Sequence, residues 1–210
     1  LRHTVPDLQQ MTSFLQQPVI FDRAEGVHLW DVDGRHYWDG LSGVFVAAVG
    51  HRNRRVIDAI TAQLERLSFA PPLHGTNAQA VRLSARLAEL APGDLNCVKL
   101  LSSGSEATET AVKLCRQYWK QAGAPTSYKV ISRYYAYHGS TLGAMAASGT
   151  PGRRVPFEPL PGGYVHIPTV HCYRCPYERE YPACGIFCAE YLRQVIALEG
   201  PETVAAVMVE

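Results

Sequence analysis

The turn at Ser103-Gly104-Ser105 has the residue types needed to bind an anion, because two hydroxyls flank a glycine where a helix is predicted to begin. The first backbone N–H groups of a helix have no internal partner and lie at its positive end. Gly104 lets a ligand approach the backbone closely, and both hydroxyls can donate to phosphate oxygens. The turn therefore predicts a phosphate site. The alternative is that Ser103 or Ser105 only caps the helix.

The spacing around this turn differs from two widespread phosphate motifs. Neither Gly-x-x-x-x-Gly-Lys-Ser/Thr nor Gly-x-Gly-x-x-Gly occurs in the chain. Apolar side chains instead follow the turn at helical spacing, at Ala107, Ala111, Leu114 and Tyr118.

A second candidate site is the aromatic run from Tyr134 to Gly139, which follows a predicted strand and precedes a predicted helix. Ligands of open α/β sheets bind at the carboxyl ends of strands. The ring of Tyr137 can stack on a flat ligand, and Gly139 leaves room beside it. The alternative is that these tyrosines are core aromatics, and we prefer it for Tyr134 and Tyr135.

Four of the six cysteines cluster at Cys172, Cys175, Cys184 and Cys188. Four sulfurs can bind Zn²⁺ tetrahedrally, but the gap between the two pairs is short and the second pair has three intervening residues. The alternative is a set of half-buried thiols in a loop. We therefore assign no metal ligand. No thioredoxin-like strand precedes the first pair, so we assign no redox role either.

The first third of the chain predicts a β-hairpin around Asp33-Gly34, flanked by β-rich runs. Apolar residues three or four apart predict two helices, over 54–67 and 78–90. Pro71-Pro72 and Pro92-Gly93 end them.

From residue 97 onward, strands and helices alternate. Strands are predicted over 97–101, 129–132 and 204–209, and helices over 105–119, 140–147 and 186–198, with an irregular stretch over 149–185. This alternation predicts an α/β domain with a largely parallel sheet. The last strand is apolar throughout, as in strands covered on both faces. A domain that ends on such a strand is expected to be cut from a longer chain.

The charge balance excludes some partners. The 210 residues carry 20 Lys and Arg against 19 Asp and Glu, a formal net charge of +1. We therefore expect neither nucleic acid nor a membrane as a partner. No apolar run approaches the roughly 20 residues that span a bilayer, and we do not expect the segment that begins Leu1-Arg2-His3 to be a signal peptide. We expect a cytoplasmic protein with free thiols.

Several of these segments, in this order, resemble class III (ω-type) aminotransferases, which depend on pyridoxal 5′-phosphate. The resemblance rests on the hairpin 31–39, the segments 41–45 and 50–51, the turn and helix 101–114, Tyr137-His138-Gly139 and the final 207–210. It extends from about residue 20 to the last residue. Ordered motifs at suitable separations are more specific than any one of them.

The resemblance implies roles for individual residues. The cofactor would be held by Ser103, Gly104 and Ser105 at its phosphate and by Tyr137, His138 and Gly139 at its ring, with Tyr137 as the stacking platform. The substrate pocket would be bordered by Ser42, Gly43 and Phe45. For Phe45 the alternative is a core position.

The resemblance also implies the organisation of the protein. The fold would be that of fold type I transferases, with residues 1–70 in the small amino-terminal domain and 71–210 forming the first half of the large cofactor-binding domain. The protein would act as a homodimer, with 69–73 in an interface loop, and would transfer an amino group from an amine or amino acid to a keto acid.

Two groups that such chemistry needs have no candidate here. In the family, the Schiff-base lysine and the carboxylate on the pyridine nitrogen lie beyond the position where this chain ends. None of the four lysines, Lys99, Lys113, Lys120 and Lys129, matches that position. We therefore assign no catalytic residue and expect these 210 residues alone to be inactive. The alternatives are a racemase, mutase or decarboxylase with the same cofactor, and a non-catalytic zinc-stabilised binding module.

Overall fold

A computed structural model of the chain describes residues 3–5, 10–71 and 73–210. Pro72, part of the predicted helix end and interface loop, and Leu1 and Arg2 lie outside the described residues. The contacts divide the chain into two compact units, Leu1–Val98 and Lys99–Glu210. The domain boundary predicted at residue 70 stays a prediction.

The first unit begins with helix α1 (Met11–Gln16) and a three-stranded antiparallel sheet in the order β1 (Phe21–Glu25), β2 (His28–Asp31), β3 (His36–Trp38). The predicted hairpin is confirmed as β2 and β3, whereas β1 was missed. The buried Asp31 carboxylate closes the hairpin turn. It accepts the N–H groups of Asp33 and Arg35 and the hydroxyl of Tyr37.

Three helices complete this unit: α2 (Ser42–Phe45), α3 (Arg54–Arg66) and α4 (Ala78–Leu90). The helices predicted over 54–67 and 78–90 are confirmed as α3 and α4. Each begins at an asparagine whose side chain accepts the N–H three residues on, which satisfies one unpaired donor of the first turn. The apolar stripe of α3 stays exposed in the described chain, with Ile60 54% and Leu64 57% accessible.

The second unit is built on a parallel sheet in the order β5 (Tyr164–Ile167), β4 (Lys129–Arg133), β6 (Val204–Val207). Its helices are α5 (Gly104–Gln121), α6 (Leu142–Ala147), α7 (Pro151–Arg154) and α8 (Phe187–Glu199). The sheet core is Ile131 and Ile167, packed with Val195 of α8. The predicted α/β class with a parallel sheet is confirmed.

Residues 97–210 differ from prediction in several details. No strand forms over 97–101, because no described residue pairs with that apolar run. Strand β5 and helix α7 lie inside the stretch predicted to be irregular. Strand β6 ends at Val207 rather than at 209, although Met208 N still donates to Ile131 O at 2.8 Å.

Among the described residues, no helix combines the length and the apolar character needed to cross a membrane.

Candidate functional site

The phosphate turn predicted at Ser103-Gly104-Ser105 forms the start of α5. Ser103 has extended backbone angles and is the N-cap, as the alternative interpretation proposed, and its Oγ accepts the N–H of Glu106 at 3.2 Å. Its carbonyl accepts the N–H of Ala107 at 3.0 Å. The N–H groups of Gly104 and Ser105 have no partner within a helix, and no described residue accepts them. Two backbone donors therefore remain for an anion, and the hydroxyl proton of Ser103 is not used by the cap.

One negative charge lies in this first turn. The carboxylate of Glu106 accepts the backbone N–H of Ser102 at 2.9 Å. Glu106 thus bonds through its N–H to Ser103 and through its carboxylate to Ser102, which fixes the turn that precedes the helix. These hydrogen bonds do not use the backbone N–H groups of Gly104 and Ser105.

The loop carrying Gly139 lies directly against the phosphate turn. A Cβ atom placed on Gly139 would stand 2.5 Å from Ser105 Oγ and 2.7 Å from Ala144 Cβ, closer than side chains pack. The φ of Gly139 is +135°, a region that other residues rarely adopt. The backbone N–H of Ser140 donates to Ser105 Oγ at 3.0 Å. Only glycine allows this approach, which joins two predicted cofactor-binding segments that are 34 positions apart.

Hydrogen bonds from two sides hold His138 within the same loop. Its carbonyl accepts the hydroxyl of Thr108, on α5, at 2.8 Å. Its N–H donates to Ser148 Oγ at 2.8 Å. Burial lowers the pKa of its imidazole, opposed by the charge of Glu210. The ring Nε2 is buried without a hydrogen-bond partner among the described residues, a costly state that a polar ligand atom would relieve.

Tyr137, the predicted stacking platform, has an accessible ring with 43% of the residue exposed. Its backbone N–H donates to the carboxylate of Glu210, after β6. The guanidinium of Arg153 lies 5.1 Å from the ring centroid, within the range of a cation–π contact. The neighbouring loop contacts therefore fix the backbone of Tyr137 while its ring remains open to a ligand.

The preference for core positions at Tyr134 and Tyr135 is wrong. Tyr135 is 70% exposed and has a φ of +67°, and Tyr134 is 39% exposed with its ring 5.4 Å from that of His166. Both follow the end of β4, where the chain leaves the sheet, and the turn carries their side chains outward. An aromatic run alone does not show which of its rings enters the core.

The predicted substrate segment in the first unit has an unusual backbone. Ser42, Gly43, Val44 and Phe45 have φ values of +51°, +59°, +60° and +69°. Three of the four are not glycine, and such residues cost of order 1–3 kcal/mol each in this region. Phe45 is 79% exposed, so the core alternative for it is wrong in the described structure. The assignment of Ser42, Gly43 and Phe45 to a substrate pocket stays a prediction.

Asp39 holds this strained segment. Its Oδ1 accepts the N–H of Leu41 at 3.2 Å and that of Gly43 at 3.3 Å, and its Oδ2 lies 2.7 Å from Nε2 of His51. The hydrogen bond with His51 and those two N–H groups lower the pKa of the Asp39 carboxyl, although burial opposes them. The carboxylate therefore offsets part of the strain.

Sequence reasoning missed four supporting residues: Asp39, Thr108, Glu109 and Ser148. Ser105, Thr108 and Glu109 lie three and four positions apart on α5, so they share one face of the helix. That spacing was the available signal. A polar helix face is usually exposed to solvent, however, and the sequence does not show that this one contacts a loop.

The clustered cysteines line one small cavity of about 30 Å³ together with Tyr177 and Phe187. All four are free thiols. Within the described ranges, no three His, Cys, Asp or Glu side chains are placed to hold a metal ion. The zinc hypothesis therefore gains no support from this arrangement.

The residues present fit pyridoxal 5′-phosphate in three respects. The turn at Gly104 and Ser105 offers unpaired donors beside a helix start, which suits a phosphate. The ring of Tyr137 offers an aromatic face, which suits a pyridine ring. Gly139 keeps the two segments in contact.

Known proteins similar to this chain are aminotransferases. The model of the family "Aminotransferase class-III" matches residues 11–210. A probable aminotransferase of Mycobacterium tuberculosis is 43% identical over 196 residues, which are 93% of this chain and 42% of that protein. The chain spans about half the length of the curated relatives it matches.

Two solved structures are also similar over almost the whole chain. An (S)-enantioselective ω-transaminase from Thermomicrobium roseum has a TM-score of 0.93 and 35% identity, with 98% of this chain and 46% of that one covered. A PLP-bound amine transaminase from an uncultivated Pseudomonas species has a TM-score of 0.90 and 28% identity, with 99% and 48% covered.

Proposed function

The chain belongs to the class III aminotransferase family, and we propose that the protein containing it transfers an amino group from an amine or amino acid to a keto acid. Pyridoxal 5′-phosphate is the proposed cofactor. The observation that carries the proposal is the packing of Gly139 onto Ser105, which places a stacking loop against a phosphate turn.

In this proposal the start of α5 binds the phosphate. The N–H groups of Gly104 and Ser105 donate to its oxygens, and the hydroxyls of Ser103 and Ser105 add two further donors. Ser105 Oγ already accepts from Ser140 N, so its own proton is free to point at the ligand. The aligned peptide dipoles of an 18-residue helix favour the negative charge.

The loop 137–139 holds the ring in the same proposal. Tyr137 stacks against one face of the pyridine ring and so sets the distance between that ring and the edge of the sheet. His138, whose Nε2 has no hydrogen-bond partner in the described part of the chain, offers a polar contact, and burial disfavours the charged form of its ring and so lowers its pKa. Gly139 leaves the space that a side chain would fill. Bound pyridoxal phosphate supplies an electron-withdrawing ring and an aldehyde that carries the amino group between two substrates.

The proposed reaction needs no external oxidant. The donor carbon is oxidised from amine to carbonyl, and the acceptor carbon is reduced from keto acid to amino acid, so the two half-reactions balance. Ser42, Gly43 and Phe45 are proposed to border the substrate pocket, where the exposed Phe45 ring would contact an apolar part of the donor. No lysine or carboxylate among these 210 residues is proposed as catalytic.

A homodimer and a cytoplasmic location are part of the proposal. The dimer is supported by the exposed apolar stripe of α3, which a subunit surface would cover. The location is supported by six free cysteines, which suit a reducing compartment. Light scattering on the full-length protein and cell fractionation test these two statements.

The reaction is tested by incubating the full-length protein with pyridoxal 5′-phosphate, an amino donor and a keto acid. The expected products are the carbonyl form of the donor and the amino acid made from the acceptor, in equal amounts. Inversion of the donor with no acceptor product would identify a racemase instead. Release of carbon dioxide would identify a decarboxylase.

A further inference from the structure

One polar face of α5 contacts the end of the loop that leads into α6 and the start of α6 itself. Ser105, Thr108 and Glu109 lie on this face, and each makes a hydrogen bond to a different part of the segment 138–143. Ser105 accepts from Ser140 N, and Thr108 donates to His138 O. Glu109 makes the remaining contacts, and the proposed function assigns it no part.

The carboxylate of Glu109 accepts two groups at the start of α6. Its Oε1 accepts the hydroxyl of Thr141 and the backbone N–H of Gly143, the latter at 3.0 Å. Thr141 is the N-cap of α6, yet its side chain caps no N–H of its own helix. Glu109 therefore replaces the missing cap from a neighbouring helix, where a carboxylate satisfies unpaired N–H groups and the positive end of the dipole.

Two further observations show that this contact is tight. A Cβ atom placed on Gly143 would stand 2.9 Å from Oε1 of Glu109, so the carboxylate occupies the space beside that glycine. The hydrogen bond from Thr141 and the N–H groups of Gly143 and Ala144 lower the pKa of the Glu109 carboxyl against the effect of burial. The last four residues of α6, Ala144 to Ala147, are all buried, so the helix is packed against the rest of its unit.

We propose that Glu109 is a positioning residue for the cofactor ring, because its carboxylate anchors α6 to α5 and so fixes the loop 137–139 relative to the phosphate turn. The cofactor would be bound at its phosphate by the turn and at its ring by the loop, so the distance between turn and loop has to match the cofactor. The inference rests on the proposed function, since it assumes that the turn and the loop bind one ligand.

The test measures cofactor binding by the full-length protein rather than turnover. We expect Glu109→Ala to weaken pyridoxamine 5′-phosphate binding about 10-fold, the size of one lost charge-assisted hydrogen bond. Glu109→Gln keeps an acceptor oxygen for Thr141 and Gly143, so it should recover most of the affinity. Glu89→Ala, which removes an exposed glutamate of α4 paired with Arg86, is the matched control and should bind like the wild type.

A spectroscopic measurement separates positioning from general stability. At saturating pyridoxal 5′-phosphate, Glu109→Ala should change the visible circular dichroism of the bound ring, because the ring is held at a different angle. If Glu109→Ala only lowers the melting temperature while affinity and circular dichroism stay at wild-type values, the inference is wrong.

A second variant covers the case in which Glu109→Ala does not fold. Thr141→Val removes only the hydroxyl that donates to Glu109, and it should weaken cofactor binding several-fold. Wild-type binding by Thr141→Val would contradict the inference. A wild-type protein that binds no cofactor would instead overturn the proposed function.

Discussion

Gly139 and Ser105 are in direct contact, with the N–H of the next residue, Ser140, donating to Ser105 Oγ at 3.0 Å. The contact joins the loop after β4 to the start of α5. It leaves no room for a side chain at position 139, and it brings the phosphate turn and the aromatic platform into one structure.

Gly139→Ala should disrupt the contact. The new methyl group would overlap Ser105 Oγ and Ala144 Cβ, and the φ of +135° is unfavourable for alanine. We expect the free energy of unfolding to fall by about 2 kcal/mol or more, with loss of cofactor binding. Gly152→Ala is the control, because nothing lies within 4 Å of its added Cβ and it sits in helix α7. Urea unfolding and cofactor titration measure both effects. Equal behaviour of the two variants would contradict the packing described for position 139.

Substitutions at Ser103 separate its two roles. Ser103→Asp keeps a good N-cap but brings a negative charge to the phosphate, so stability should change little while cofactor affinity falls about 10-fold or more. Ser103→Ala should lower the free energy of unfolding by about 1 kcal/mol through loss of the cap. Thermal melts without cofactor measure the stability of each variant, and titrations with cofactor measure its affinity. If Ser103→Asp binds cofactor as tightly as the wild type, the phosphate lies elsewhere.

The role of Tyr137 depends on its ring rather than on its hydroxyl. Tyr137→Phe should bind pyridoxal 5′-phosphate within about twofold of the wild type, whereas Tyr137→Ala should bind about 10-fold more weakly through loss of stacking. Tyr135→Ala removes a ring that is 70% exposed two positions away and serves as the control. Equilibrium dialysis of the cofactor measures all three. A loss at Tyr135 equal to that at Tyr137 would show that the wrong ring was assigned.

The pH dependence of stability should report on Asp39. The fold lowers the pKa of this carboxyl, mainly through its hydrogen bond with His51, so the unfolded state binds the proton more readily than the folded state does. The stabilisation by Asp39 is present above the ordinary aspartate pKa of about 3.9, and it is lost as the pH falls through the lower folded-state value.

Asp39→Asn should therefore lower stability at neutral pH and flatten the loss of stability in acid. Asp58→Asn is the control, because Asp58 is exposed and pairs with Arg54 on the surface of α3. Urea midpoints measured from about pH 3 to pH 7 check the expectation. If the urea midpoints of the wild type and of Asp39→Asn fall equally steeply as the pH is lowered, Asp39 does not hold the segment 42–45.

The helices of the first unit could be predicted because their signals are local. In α3 and α4, apolar residues recur at helical spacing, and the helix bounds agree with prediction within one residue. Strand β5 has four residues between Pro- and Gly-rich segments, too few to show a period. The apolar run over 97–101 predicts a strand, but a run of side chains contains no information about whether a neighbouring strand pairs with it.

The individual residues of the candidate site could be predicted from the sequence, but the contacts between them could not. The Ser-Gly-Ser turn and Tyr137 stand out by residue type, and family resemblance assigns them to one cofactor. The contacts of Glu109 with Thr141 and Gly143 connect positions more than 30 apart along the chain. Such contacts depend on how α5 and α6 pack, which residue types do not specify.

The proposed function requires the turn at Ser103-Gly104-Ser105 to bind the phosphate of the cofactor. This is tested by comparing the affinities of the full-length protein for pyridoxamine 5′-phosphate and pyridoxamine, which differ only in the phosphate. Several charge-assisted hydrogen bonds predict that the phosphorylated compound binds about 100-fold more tightly or better, and that Ser103→Asp removes most of this preference. Binding of the two compounds within about threefold of each other would contradict a phosphate site at this turn.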